Sequence, residues 1–208
     1  MSRLNTLRKF VISLAMFAVV ALGSAVVANA DAVLITIPNP GLSGSPGPYG
    51  TVTYVLNGSN IDVTVQMTAG FTAFGQGNGN NGIFGFNIVG STDGLDITGL
   101  PAGWSFSASG GQMDGFGNFD VTLDCCNPPG VSSFSFTVSR TGGFSSASDL
   151  FEANSNGAHF AVHIAPTNGN PTGFAADGGT ATPEPASMLL MGTGLLTLAA
   201  GLRKRFKK

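Results

Sequence analysis

The stretch TVTYVLNGSNIDVTVQMT, residues 51–68, decides the fold class, because apolar and polar residues alternate on both sides of a turn signal. Ile61, Val63 and Val65 are separated by polar residues, which is the period of two that a strand with one buried face requires. Asn-Gly-Ser-Asn at 57–60 has the composition of a β-hairpin turn. The sequence therefore predicts an antiparallel hairpin here.

The same period of two recurs along residues 31–179, which predicts one all-β domain in this part of the chain. Turns rich in Gly, Pro, Asn and Ser separate the short runs, and no amphipathic helical pattern interrupts them. We expect an antiparallel β-sandwich, jelly-roll-like, of about eight to ten short strands. The other alternating runs are residues 104–108, 119–124, 134–138 and 159–164.

Charge is distributed unevenly along the 208 residues, whose formal net charge is -2. Eight of the nine basic residues lie in the two terminal segments, and between residues 31 and 180 ten acidic residues stand against Arg140 alone, a net charge of -9. A nucleic-acid-binding surface needs clustered Lys and Arg to displace counterions. The composition therefore excludes a nucleic-acid partner of that kind.

The first thirty residues have the pattern of a secretory signal peptide. Basic residues precede a long apolar run, and Ala28-Asn29-Ala30 then supplies the small-x-small site that signal peptidase requires. We expect a signal helix that signal peptidase removes after Ala30, so that Asp31 becomes the N-terminus. A retained membrane anchor is the alternative.

A second membrane segment is predicted at residues 186–202, an uncharged apolar run. At about 1.5 Å per residue, such a helix is at the short end of what spans a bilayer core. The basic cluster at 203–208 should stay on the cytoplasmic side, which places the preceding domain outside the cytoplasm. Both ends of the chain thus predict the same topology; a buried core helix is the alternative.

Pro183-Glu184-Pro185 directly precedes this apolar run. Two prolines hold the chain extended, and the acid presents one fixed charge at the membrane surface. Together with the helix and the basic end, residues 180–208 resemble the sorting tail of the PEP-CTERM proteins. The resemblance implies that Pro183, Glu184 and Pro185 are recognised by an exosortase, a membrane cysteine protease-transpeptidase that processes the tail.

The end of the domain carries a second resemblance. FGNFD, the cysteine pair, SFSFTV, LFEANSNGAHFAVHI and TGFAADGG resemble the body of a PEP-CTERM subgroup with a cysteine pair and a "FAAHV"-like strand. The resemblance implies an extracellular β-rich module and no enzyme family. In that subgroup two residues separate the cysteines, whereas Cys125 and Cys126 are adjacent. A secreted location favours a vicinal disulfide, with free thiols and an intermolecular bridge as alternatives.

Few residues of the domain are suited to metal binding. His159 and His163 are the only histidines, and on one face of a strand they lie about 13 Å apart, too far to bind one ion. We expect both to be half-exposed polar side chains on the sheet face, with a metal or acid–base role as the alternative. Asp114, Asn118 and Asp120 offer oxygen ligands for calcium, with a plain polar hairpin as the alternative. No other cofactor is expected.

The chain thus divides into a signal peptide at 1–30, an extracellular β-sandwich at 31–179 and a sorting tail at 180–208. The leading hypothesis is an exported surface or matrix protein without catalytic activity. Exosortase would sort it, after transient anchoring in the inner membrane, into the envelope or an exopolysaccharide-rich biofilm.

Two other functions fit the sequence. The first is a carbohydrate-binding β-sandwich, with or without calcium, in which Trp104, Tyr49 and Tyr54 stack on sugars. The second is a glycoside hydrolase with paired carboxylates. The acidic pairs considered for it are Asp149 with Glu152 and Asp93 with Asp96.

Overall fold

The computed structural model describes residues 30–42, 44–75, 82–125, 130–168, 171–177 and 182–183. These residues form β-strands and two short 3-10 helices, so the predicted all-β fold is confirmed. The predicted signal helix and the membrane helix at 186–202 lie outside them. Within the described ranges, the structure contains no helix of the length and hydropathy needed to cross a membrane.

The strands are numbered in chain order, and the 3-10 helices are Pro40–Leu42 and Ala147–Leu150. The strands are β1 Ala30–Pro38, β2 Gly50–Asn57, β3 Asn60–Met67, β4 Phe71–Ala73, β5 Phe84–Phe86, β6 Asp96–Thr98, β7 Ser105–Ser107, β8 Gly111–Met113, β9 Gly117–Phe119, β10 Val121–Asp124, β11 Ser133–Ser139, β12 Phe160–Pro166, β13 Gly173–Asp177 and β14 Thr182–Pro183.

Most of the strands belong to one antiparallel sheet. Its strand order is β6-β11-β3-β2-β1-β13-β12-β5-β10-β7, with β14 beside β1 and β4 beside β12. The predicted hairpin at 51–68 is present as β2 and β3, and its turn contains Gly58 at φ 65°. Its inward side chains, among them Val52, Ile61 and Val65, are fully buried, as the alternation predicts.

The sheet curls until its two ends face each other. Phe84 in β5 lies six positions from β11 in the strand order, yet its ring centroid is 5.8 Å from that of Phe134 and 6.0 Å from that of Phe136. Trp104 lies between the edge strands β6 and β7 in the sequence. Its ring centroid is 4.9 Å from that of Phe134. The antiparallel all-β part of the prediction is thus confirmed, and the main sheet is nearly closed and barrel-like.

β1 joins the two halves of the main sheet, one of which begins with β2 and the other with β13. It pairs with β2 along one edge and with β13 along the other. The register with β13 shifts between Ile35 and Ile37, a β-bulge that bends the strand. Alternation along the sequence predicts which face of β1 is buried, but it carries no information about how many strands β1 pairs with.

A second apolar layer covers the outside of β12 and β13. Met113 and Phe119 of the β8–β9 hairpin pack there against Ala161, Phe174 and Ala176. Because the hairpin covers the outer face, β12 is buried on both sides rather than half-exposed. The small alanine side chains leave the room that the hairpin needs.

Burial by neighbouring side chains corrects the prediction for the two histidines. His159 is 8% exposed and His163 is 2% exposed, so the prediction that both are half-exposed is wrong. The alternating run at 119–124 is also divided, since β9 ends at Phe119 in the hairpin and β10 begins at Val121 in the main sheet. Asp120 lies between these two strands, and its backbone N–H donates to Asn87 Oδ1 at 3.1 Å.

Candidate functional site

The candidate site is the corner where the chain leaves the domain for the predicted sorting tail. β14 pairs with the start of β1, with Pro183 opposite Asp31 and Thr182 opposite Ala32. Since β2 occupies the other edge of β1 at these residues, β14 lies on the same edge as β13. Asp31, the predicted mature N-terminus, is therefore the direct neighbour of the first proline of the predicted motif.

The predicted cleavage and sorting residues are covered only in part. Ala30 and Asp31 begin β1, whereas Ala28 lies outside the described residues. Pro183 ends β14, whereas Glu184 and Pro185 lie outside them. Cleavage after Ala30 would remove one residue of β1, which the structure pairs with Val55.

Asp177 is the last residue of β13 and holds the end of this strand in place. Its carboxylate is fully buried. One oxygen, Oδ1, accepts hydrogen bonds from the backbone N–H groups of His159 and Phe160, both at 2.9 Å. The other, Oδ2, accepts from His159 Nδ1 at 2.8 Å. A buried carboxylate with three donors is well compensated, so β13 is anchored at its last residue.

Aromatic rings surround this anchor. The imidazole of His159 stacks on the Phe151 ring at 3.6 Å with an interplanar angle of 3°. Tyr54 packs against the same ring at 6.2 Å, and its hydroxyl oxygen is buried without a hydrogen-bond partner. Burial, and then the charges of Asp31 and Asp177, raise the pKa of Tyr54. The Tyr54 phenol therefore remains neutral beside Asp31 and Asp177.

His163 lies in a separate apolar environment on β12. Its ring stacks on Phe174 at 4.3 Å and meets Phe74 edge-on at 5.2 Å, while its Nδ1 is buried without a partner. Burial lowers the pKa of His163 to about 4, against a weaker opposing effect of a hydrogen bond with the Phe74 backbone. The two histidines therefore lie in different environments and do not form one common ligand site.

The depressed pKa of His163 predicts that acid destabilises the fold. In the unfolded chain His163 binds a proton as the pH falls below its ordinary pKa of 6.5. In the folded chain it binds this proton only when the pH falls to about 4. The wild type should lose about 3 kcal/mol of unfolding free energy over this range relative to His163→Leu. Urea unfolding of both proteins across this pH range measures the loss, and parallel pH profiles would contradict the prediction.

The calcium candidates are spread along the β8–β9 hairpin. Asp114 lies in its turn, whereas Asp120 follows the other end of β9 and accepts a hydrogen bond from the Ile88 N–H at 3.1 Å. An open cleft of about 530 Å³ is lined by Asn118 and Asp120 but not by Asp114. In the part of the chain that the structure describes, no three His, Cys, Asp or Glu side chains are grouped to hold a metal ion.

Cys125 follows β10 and packs, half-buried, against the main core. A Cβ atom on Gly75 would lie 2.6 Å from the Cys125 carbonyl oxygen and 2.7 Å from its Sγ, so glycine is required at this contact. Cys126 lies outside the described residues, and the Cys125–Cys126 disulfide stays a prediction.

The aromatic residues proposed for sugar stacking are mostly in the core. Tyr49 is 1% exposed and Tyr54 is 0% exposed, so the prediction that these rings face a ligand is wrong. The Tyr49 hydroxyl donates to the Ser45 carbonyl at 2.6 Å, and its ring packs edge-on against Phe71 at 5.1 Å. Trp104 is half-buried against the core.

Asp149, proposed for a catalytic carboxylate pair, has contacts that stabilise its own loop. Its Oδ2 accepts from the backbone N–H groups of Ser145 and Ser146 at 3.0 and 3.3 Å and lies 3.7 Å from Arg140 Nη2. It thereby completes the capping box of the second 3-10 helix. The other acids proposed for such pairs, all exposed, are Glu152, Asp93 and Asp96.

The contacts that define this corner were missed by the sequence analysis. Asp177 closes the apolar run GFAAD, and an acid that ends a buried strand needs donors from a neighbouring strand. That signal was available, but the partner, His159, is identified only by the antiparallel pairing of β12 with β13. The short β14 gave no signal, because Thr182–Pro183 has no alternating pattern.

Comparison with known proteins identifies the tail. Residues 181–205 match the family model described as the PEP-CTERM protein-sorting motif, which confirms the resemblance. No curated protein and no solved structure gives a match. A motif of this kind implies an exported, sorted protein of the cell envelope and is recognised by exosortase.

Proposed function

We propose that this chain is a non-catalytic protein of the cell surface or extracellular matrix, delivered by exosortase processing at Pro183-Glu184-Pro185. A signal peptide directs export, and the predicted membrane helix at 186–202 holds the chain in the inner membrane with the domain outside. Processing then delivers the domain at 31–179 to the envelope or to an exopolysaccharide-rich biofilm. The observation that carries the proposal is the match of residues 181–205 to the sorting motif.

The geometry of the corner supports this order of events. Pro183 is held at the edge of β1, and the predicted membrane helix begins only two residues after Glu184. A motif that directly precedes a membrane segment in the sequence would lie within reach of a membrane protease. Asp177 anchors β13 at its last residue, a few residues before the motif.

The contacts of the acidic residues support a role without catalysis. Asp177 is saturated by three hydrogen bonds, and Asp149 caps a 3-10 helix. Neither carboxylate is left for a substrate. Partners among acidic polysaccharides would require bridging divalent cations, because the domain between residues 31 and 180 carries a net charge of -9.

Replacing Pro183, Glu184 and Pro185 together with alanine tests the proposal. We expect tail processing to be abolished and the uncleaved protein to stay in the membrane fraction, followed by intact-mass spectrometry of fractionated cells. The matched control is Glu152→Ala with Pro171→Ala, which removes an exposed acid and an exposed proline from the domain. Normal processing of the triple variant would overturn the proposal.

A further inference from the structure

The open cleft of about 530 Å³ beside the β8–β9 hairpin has a lining that is mainly polar. Asn118 and Asp120 line it from the end of β9, Ser109 from the segment that joins β7 to β8, and Thr92 from the loop before β6. These side chains carry an amide, a carboxylate and two hydroxyl groups. Cavities of this volume hold small-molecule ligands in other proteins.

Asn118 and Asp120 present their side chains to the cleft together. They are two residues apart in extended chain, so their side chains lie on the same side of the backbone. Both are exposed, whereas Phe119 between them is 2% exposed and packs into the second apolar layer. The burial of Phe119 therefore directs the amide and the carboxylate outward into the same space.

Hydrogen bonds hold the backbone of both residues in place. The Asp120 N–H donates to Asn87 Oδ1, and Asp120 Oδ2 accepts from the Ile88 N–H, both at 3.1 Å. Asn87 is 3% exposed, so this support is part of the buried core. Asn154 Nδ2 donates to the Asn118 carbonyl at 3.0 Å. A ligand therefore does not have to order these segments when it binds.

The same hydrogen bonds leave side-chain groups for a ligand. In the part of the chain that the structure describes, Asp120 uses only Oδ2 and the Asn118 side-chain amide makes no hydrogen bond. A carboxylate oxygen accepts hydrogen bonds, whereas an amide both donates and accepts them. Because a sugar hydroxyl also does both, neighbouring hydroxyls of one sugar ring match this pair.

Charge narrows the class of ligand further. Of the described residues that line the cleft, Asp120 alone is charged, and the domain between residues 31 and 180 carries a net charge of -9. An anionic polymer would be repelled. A calcium ion would need more oxygen ligands than one carboxylate and one amide supply. A neutral ligand with many hydroxyl groups fits this lining best.

We propose that this cleft binds a neutral glycan, whose hydroxyl groups donate to Asp120 Oδ1 and accept from the Asn118 amide. The hydroxyl groups of Ser109 and Thr92 contact the same glycan from the other parts of the lining. The inference rests on the proposed function, because it names the class of matrix polymer that the domain holds. An acidic domain can bind such a polymer without bridging cations.

Titration with neutral oligosaccharides tests the inference. The probes are short oligomers of glucose, mannose, galactose or N-acetylglucosamine, added to the full-length protein in phosphatidylcholine nanodiscs with EDTA and followed by calorimetry. We expect at least one to bind with a Kd of about 1 mM or tighter. Asn118→Ala and Asp120→Asn should each weaken that binding at least about fivefold, because each loses a hydrogen bond to the sugar.

The two variants are chosen to leave the fold intact. Asp120→Asn keeps an oxygen for the Ile88 N–H, and Asn118→Ala removes an amide that makes no hydrogen bond to the described residues. Asp96→Ala is the matched control, because it removes an exposed carboxylate outside the cleft and should bind as wild type does.

Two results would overturn the inference. One is that none of the neutral oligosaccharides binds in EDTA. The other is that one binds with the same Kd to wild type, Asn118→Ala and Asp120→Asn, since the glycan would then lie elsewhere. Neither result bears on tail processing, because the titration needs no exosortase. Loss of the proposed function would instead appear as normal processing after replacement of Pro183-Glu184-Pro185.

Discussion

Replacing Asp177 with alanine should lower the free energy of unfolding by about 3–5 kcal/mol, because it leaves a buried imidazole and two buried backbone N–H groups without their acceptor. These donors are His159 Nδ1 and the N–H groups of His159 and Phe160, at 2.8 to 2.9 Å from the carboxylate oxygens. Water cannot replace the lost acceptor readily, since Asp177 is 2% exposed.

Urea unfolding of the exported domain measures this effect, and two variants calibrate it. Asp177→Asn retains an oxygen for the backbone donors and should cost less, about 1–3 kcal/mol. Asp96→Ala removes an exposed carboxylate from the same sheet and should change stability by no more than about 0.5 kcal/mol. A cost for Asp177→Ala as small as that for Asp96→Ala would contradict the anchoring role.

Replacing Phe84 with alanine should also cost about 3–5 kcal/mol, because it opens a cavity where the two halves of the curled sheet meet. The Phe84 ring is 0% exposed. Its four aromatic neighbours, with centroids between 5.8 and 6.0 Å away, are Phe86, Phe134, Phe136 and Phe160. Loss of this ring removes contacts to both halves at once.

Phe106→Ala is the matched control for the cavity. Phe106 is half-buried on the edge strand β7, so the same chemical change should cost roughly half as much. Thermal and urea unfolding of both variants provide the comparison. If Phe84→Ala were no more destabilising than Phe106→Ala, the sheet would not close over Phe84 as described.

The alternating residues were sufficient to predict the local part of the fold. Ile61, Val63 and Val65 point inward as predicted, and the 57–60 turn joins β2 to β3. The alternation gave no prediction of long-range pairing, such as which strands flank β1, because this pairing depends on contacts between distant segments. The prediction that His163 is half-exposed failed for the same reason, because Phe174 packs against its ring from another strand.

The candidate site shows the same division between local and long-range information. The sorting motif is a short linear pattern, so the sequence was sufficient to predict it, and the family model matches residues 181–205. That Pro183, Glu184 and Pro185 are the residues recognised stays a prediction. The neighbours of Pro183 were not identified, because Asp31 lies at the far end of the domain sequence and meets it only through the β1–β14 pairing.

The most direct test of exosortase sorting is the intact mass of the protein released to the surface of its native cells. We predict a single mature form that begins at Asp31 and lacks the predicted membrane segment at 186–202 together with the basic end at 203–208. A surface form that retains the chain through Lys208 would contradict processing at Pro183-Glu184-Pro185.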